Sequence, residues 1–156
     1  MIVDARPGEF AVTKLFDDLP CAHRAWAHDG LCRFLHGYER SFEIEFVCRE
    51  LEADTGFVVD FGKLKPFRSM LERQFDHTTL IADNDPELEL FRELGRRGVI
   101  DLRIMSGTNM EASAAWVLKH GTALLREQTD DRVRIRSIVA RESRKNSVRM
   151  EPASVW

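Results

Sequence analysis

His36, Tyr38 and Arg40 stand at alternate positions just before Phe42 and Ile44. On an extended strand all five would point to one side. Cys21 and His23 share a face on the preceding stretch by the same rule, so two adjacent strands would bring His23 and His36 together. Two imidazoles with a phenol two residues along is good spacing for metal ligation. It is also the pattern of hydrogen-bonded histidines opening a core strand, and a lone strand histidine is more often that. No His/Cys cluster has the tight spacing of a structural zinc site.

Other candidates lie further along. Cys32 sits in the Gly-bounded "GLCRFLHG", four residues before His36. An exposed thiol near a histidine or a metal ion acts as a base or nucleophile, whereas alone it is an ordinary free cysteine. Asp76 and His77 are adjacent in "QFDHTTL". A carboxylate beside an imidazole fixes its tautomer and stabilises its charged form, but only a bent backbone turns neighbouring side chains together. The alternative is a helix-end histidine meeting the dipole. Glu111 has capping-box spacing from Thr108, and Glu142 in "VARESRKN" reads by itself as a solvated residue beside a turn.

The elements that must position these residues show two periods. Phe42, Ile44, Phe46 and Cys48 alternate with Ser41, Glu43, Glu45 and Val47, the mark of a half-buried strand. "EFAVTKLFDDLPCAH" is a rougher strand, with Pro20 suggesting an edge or bulge. "DTGFVVDF" reads as a turn and a short extended run. From about Lys63, Leu64, Phe67, Leu71 and Phe75 recur at helical spacing, with Pro66 in the first turn. Asp85 and Pro86 read as a cap and first residue of a short helix through Leu94, stopped by Gly95 or Gly98. Met110, Ala114, Val117, Leu118 and Leu125 form a second helical stripe. Val133, Ile135 and Val139 read as one face of a late strand, and "RKN" as a hairpin turn into a last strand at Val148 and Met150. The expectation is α+β, an antiparallel four-stranded sheet with helices on one face.

Composition bounds the rest. A chain of 156 residues with 44% hydrophobic content suits a single domain, 1–156. A formal charge of −3 gives no basic footprint for nucleic acid and no basic arm for a membrane. "MIVDARPGEF" has no signal-peptide pattern, and no apolar run approaches the about 20 residues of a spanning helix. Three cysteines without framework spacing suggest free thiols and a cytoplasmic protein.

Taken in order, His23, "CRFLHG", "TGFVVDFGKLK", "FDH", a Thr/Asn-x-Glu helix start and "RES" before a hairpin form a pattern over about Phe16 to Met150. It resembles the 6-pyruvoyltetrahydropterin synthase and 6-carboxytetrahydropterin synthase family. The resemblance implies a tunnelling fold, in which sheets of neighbouring subunits join edge to edge into a barrel, as a trimer or a hexamer of stacked trimers, with active sites between subunits. It implies a zinc-dependent lyase acting on dihydroneopterin triphosphate; the carboxy-forming branch feeds 7-deazaguanine and queuosine synthesis. Residue by residue, His23 and His36 match two zinc ligands and Cys32 the thiol that moves protons on the substrate side chain. Asp76 and His77 match the relay working with it. Glu142 matches the carboxylate anchoring the pterin's guanidine-like edge, and Thr108, Asn109 and Glu111 the other pterin-contacting turn.

The family pattern at the strand start is H-G-H; here it is His36–Gly37–Tyr38. The third zinc ligand is replaced, and three outcomes are open. Tyr38 ligates as tyrosinate, Cys21 or His28 substitutes, or the site holds no metal. The turn "TNME" also lacks the family's proline, and Ala112 follows Glu111 where the family has asparagine.

Overall fold

Alternation of apolar and polar residues builds two long strands, β1 (Phe10–His23) and β2 (His36–Cys48). In this computed structural model, residues 6–156 are described; the first five residues of the opening stretch read above for a signal lie outside them. The strands pair antiparallel from Phe10 opposite Cys48 to His23 opposite His36. The register shifts between Phe16 and Leu19, where Asp18 takes a left-handed φ of 57°. One extra residue there keeps Phe16, Leu19, Cys21 and His23 on the same side. The irregularity expected around Pro20 is this bulge, two residues earlier.

α1 (Lys65–Phe75) begins with Pro66 in its first turn and buries Phe67, Met70, Leu71 and Phe75. Phe67 stacks on Phe16 at 5.2 Å between ring centroids, and Phe75 lies 5.0 Å from Phe42, which clamps the helix on the β1–β2 sheet. α3 (Met110–Thr129) lies beside it, burying Ala114, Val117, Gly121 and Leu125. Gly121 is needed here: a Cβ would sit 2.8 Å from a Phe67 ring carbon.

β5 (Val133–Arg141) pairs with β2, and β6 (Ser147–Met150) with β5. These four strands are the expected antiparallel sheet. Two more extend it: β3 (Thr78–Ala82) pairs parallel with the end of β1, and β4 (Leu102–Met105) parallel with β3. The sheet is six-stranded, in the order β4-β3-β1-β2-β5-β6.

Three local expectations are corrected. A register shift in β5 puts Ile135 opposite Phe46 but Ile138 opposite Ile44, so Val139, opposite Glu43, lies on the other face from Ile135. α2 (Leu88–Arg96) starts after Asp85–Pro86, and Asp85 shapes the preceding turn by accepting the Glu87 amide at 2.9 Å. The N-cap of α3 is Asn109, whose side chain accepts the Ala112 amide at 2.8 Å, so Thr108 and Glu111 form no capping box. Among the described residues no helix is long and apolar enough to cross a membrane.

Candidate functional site

The β1–β2 ladder ends with two histidines facing each other, and the site grows from that end. Opposed residues of an antiparallel pair share a side, so His23 and His36 meet with ring centroids 4.4 Å apart. Tyr38 follows on the same side of β2, 5.2 Å from His36 and 5.7 Å from His23. His23 is buried; Tyr38 is 40% exposed and faces outward. His36 Nδ1 lies 2.6 Å from the Phe34 carbonyl, so Nδ1 carries a proton, and in the neutral ring Nε2 is the acceptor. Glu142 follows the last residue of β5 and brings its Oε2 to 3.8 Å from His23 Nε2. The structure therefore gathers His23, His36, Tyr38 and Glu142.

Behind these rings lies a charge. Arg40 is two residues beyond Tyr38, opposite Leu19, and is fully buried. Its Nη2 donates to the Thr108 carbonyl at 2.6 Å and the Cys21 thiol lies beside the guanidinium, while Nε and Nη1 have no oxygen or nitrogen partner among the described residues. Burial first, then the Arg40 charge, then His36 depress the His23 pKa to about 3, so His23 is a neutral imidazole, with Nδ1 unpartnered. Burial pushes the Cys21 thiol up despite Arg40 beside it. The sequence placed Arg40 on this face; its enclosure was not foreseen. The available signal was a charged residue in register with Phe42 and Ile44.

The segment between the strands holds Cys32, exposed in a single 3-10 turn, Leu31–Arg33. Its backbone carbonyl accepts the Ala25 amide at 2.8 Å. The turn is tied down at its base, where Arg24 donates from Nε and Nη2 to the two Asp85 oxygens at 2.7 and 2.5 Å. Trp26 Nε1 donates to Asn84 at 3.1 Å, and Thr108 Oγ1 to the Arg24 carbonyl at 2.7 Å. The Asp85 clamp escaped the sequence reading, which took Asp85 for a helix cap. His28 sits in this segment accepting the Gly30 amide.

Asp76 and His77 do pair, with Nδ1 2.6 Å from Asp76 Oδ1. The bend that turns them together is His77's left-handed φ of 58°, and its amide is anchored on the Pro20 carbonyl at 2.7 Å. The His77 side chain is 83% exposed, presenting its other nitrogen to solvent. No hydrogen bond or ion pair joins Cys32 to His77 or to the histidine pair within the chain, among the described residues. Thr108 is buried and locks β1 to the start of α3, Asn109 caps that helix, and Glu111 is exposed in its first turn.

The donors present do not make the zinc set that the resemblance implies. Among the described residues no three His, Cys, Asp or Glu side chains come together to hold a metal ion. A phenol stands where the third imidazole would be, and behind the pair lies a buried guanidinium with no acidic partner among the described residues.

Comparison with known proteins supplies the family. The chain matches the family model described as 6-pyruvoyl tetrahydropterin synthase over residues 12–153. It is 29% identical over 72 residues to a 6-carboxy-5,6,7,8-tetrahydropterin synthase of Rickettsia bellii, covering 46% of this chain and 51% of that one. It is 35% identical over 77 residues to a probable enzyme of that name from Halobacterium salinarum, covering 49% and 47%. The matched stretch thus spans about half the length of these curated relatives. An uncharacterized protein from Wolinella succinogenes superposes with TM-score 0.75 at 20% identity, covering 92% of this chain and 98% of that one. A Caenorhabditis elegans 6-pyruvoyl tetrahydropterin synthase does so at 0.64 and 16% identity, covering 93% and 96%. The fold is the expected tunnelling fold, and the chain belongs to the 6-pyruvoyl tetrahydropterin synthase family.

Proposed function

We propose that this chain is a pterin lyase that acts on dihydroneopterin triphosphate with loss of triphosphate. The observation that carries this reading is Glu142. Its carboxylate accepts no hydrogen bond from the described residues, yet it is only partly exposed and stands beside His23 at the mouth of the β1–β2 ladder. A planar heterocycle with two parallel N–H donors on one edge satisfies such a carboxylate bidentately. At the start of α3, where the Thr108 and Asn109 side chains are already engaged, the first-turn backbone amides and the exposed Glu111 are the groups left to contact the ring.

Cys32 is the base in this reading. As thiolate it takes a proton from the side-chain carbon next to the one bearing the triphosphate. The C–H electron pair becomes the new double bond, and triphosphate leaves with the electrons of its C–O bond. The resulting enol tautomerises to a ketone as His77, oriented by Asp76, returns a proton to carbon. The exposed Cys32 and the outward-facing His77 meet across a subunit boundary, so the proposal includes a homo-oligomer, trimer or hexamer, of a cytoplasmic protein. The names of the relatives favour the carboxy-forming product. That product requires in addition that the bond between the first and second side-chain carbons break, with water supplying the carboxyl oxygen and the two outer carbons leaving as acetaldehyde.

Tyr38 and Ala112 favour a second reading, a silent pterin-binding module. Retention of Cys32 together with the Asp76–His77 pair weighs against it. Titration calorimetry tests the anchor, with dihydroneopterin triphosphate and a Cys32→Ala background to prevent turnover. Adding Glu142→Ala should weaken binding by about 2–4 kcal/mol, the range for losing a desolvated charged partner. Unchanged affinity would reject the role.

A further inference from the structure

Arg40 continues the face that carries His36 and Tyr38, and it is completely enclosed. A guanidinium cannot shed its charge by losing a proton, as a buried lysine can. It donates to a neutral carbonyl, that of Thr108, and lies against the neutral Cys21 thiol, while Nε and Nη1 have no oxygen or nitrogen partner among the described residues. Glu142, the carboxylate of this cluster, is directed at His23. Among the described residues no carboxylate forms an ion pair with Arg40, which lies two residues beyond Tyr38 on the same side of β2.

We propose that the His23–His36–Tyr38 pocket is built to work without a divalent metal ion, with the buried Arg40 guanidinium as its standing positive charge. A metal dication among these rings would share this side of the sheet with a fixed cation that is itself fully buried, and the two would repel. Tyr38 replaces an imidazole lone pair with a phenol whose proton must first be removed, from a free pKa near about 10. The two imidazoles that remain fall short of the three protein ligands of a catalytic zinc site. The same groups suit a hydroxyl-bearing side chain of a bound heterocycle. Tyr38 offers an O–H donor, His36 Nε2 an acceptor, and Arg40 a field that stabilises negative charge developing on the ligand's oxygen. The inference rests on the pterin reading only for that ligand; its claim about metal does not need it.

The test is Zn²⁺ alone, titrated against a chromophoric chelator into the wild type, Tyr38→His, Arg40→Met and the double variant, with circular dichroism to confirm folding. The wild type and Tyr38→His should both bind zinc with a Kd weaker than about 1 µM. Tyr38→His/Arg40→Met should bind at least about a hundredfold more tightly than Tyr38→His, because both offer three imidazoles and only the double variant lacks the repelling charge. Zinc held more tightly than about 1 µM by the wild type or by Tyr38→His overturns the proposal, as does a gain under a hundredfold in the double variant. Should Arg40→Met fail to fold, the exposed Tyr38→His decides by the same threshold. Neither pterin nor turnover enters the assay, so its failure is separate from failure of the lyase reading.

Discussion

A fully enclosed arginine with two nitrogens that have no oxygen or nitrogen partner among the described residues lowers the stability of the fold around it. Replacing such a group with an apolar side chain of similar length is often neutral or stabilising. Arg40→Met should therefore unfold in urea at a midpoint equal to or above the wild type. A loss of more than about 2 kcal/mol would show that the hydrogen bond to Thr108 outweighs the desolvation it offsets. Position 40 was legible as a face-mate of Phe42, since strand parity is a local rule. Its enclosure depends on the start of α3, which lies 68 residues away. The Asp76–His77 pair was legible only as adjacency; the left-handed turn at His77 that makes it a hydrogen bond leaves no mark in residue type. Tyr38, by contrast, was readable at once as a departure from H-G-H, and its exposed ring beside both histidines follows from parity alone.

Elements are held in place here by two close approaches, each with a measurable cost. The first is α3 against α1 at Gly121. Gly121→Ala puts a methyl group within 2.8–3.3 Å of Phe67 and Ile135, all of them core atoms. It should destabilise the chain by about 1–3 kcal/mol in urea denaturation, the range for overpacking; stabilisation would contradict the packing. The second is the Arg24–Asp85 clamp, which fixes the root of the Cys32 turn. Burial alone would raise the Asp85 pKa, but the Arg24 hydrogen bonds, the Glu87 amide and the Arg24 charge together bring it below the usual value of 3.8. A depressed carboxylate contributes stability that is full above its unfolded pKa and is lost as pH falls through the folded one. Asp85→Asn should thus cost about 2 kcal/mol near neutral pH. The difference should shrink as the pH falls below 3.8 in pH-dependent unfolding. A difference that stays constant down to strongly acidic pH would show that Asp85 holds the turn by shape alone. The helices were legible from their stripes and Pro66. Their starts were less so, because Asp85 and Thr108 are cap-like residues engaged by Arg24 instead.

Across the whole molecule, the antiparallel strands β1, β2, β5 and β6 were legible because they alternate. β3 and β4 were not: all five residues of β3 are buried, which erases the period of two, and β4 has only four residues. The sheet leaves open edges. β1 pairs with β3 only from Cys21 to His23, so from Phe10 to Pro20 that side has no strand partner among the described residues, and neither does the outer side of β6. Open edges of this kind need a partner. Sedimentation velocity at micromolar concentration should find a trimer or hexamer; a monomer would remove the boundary at which Cys32 and His77 are proposed to meet. The most direct test of the lyase reading is incubation with dihydroneopterin triphosphate followed by mass spectrometry. The wild type should release triphosphate and a tetrahydropterin product, and Cys32→Ala should release neither while keeping the same sedimentation coefficient. Product from Cys32→Ala, or none from the wild type, would contradict it.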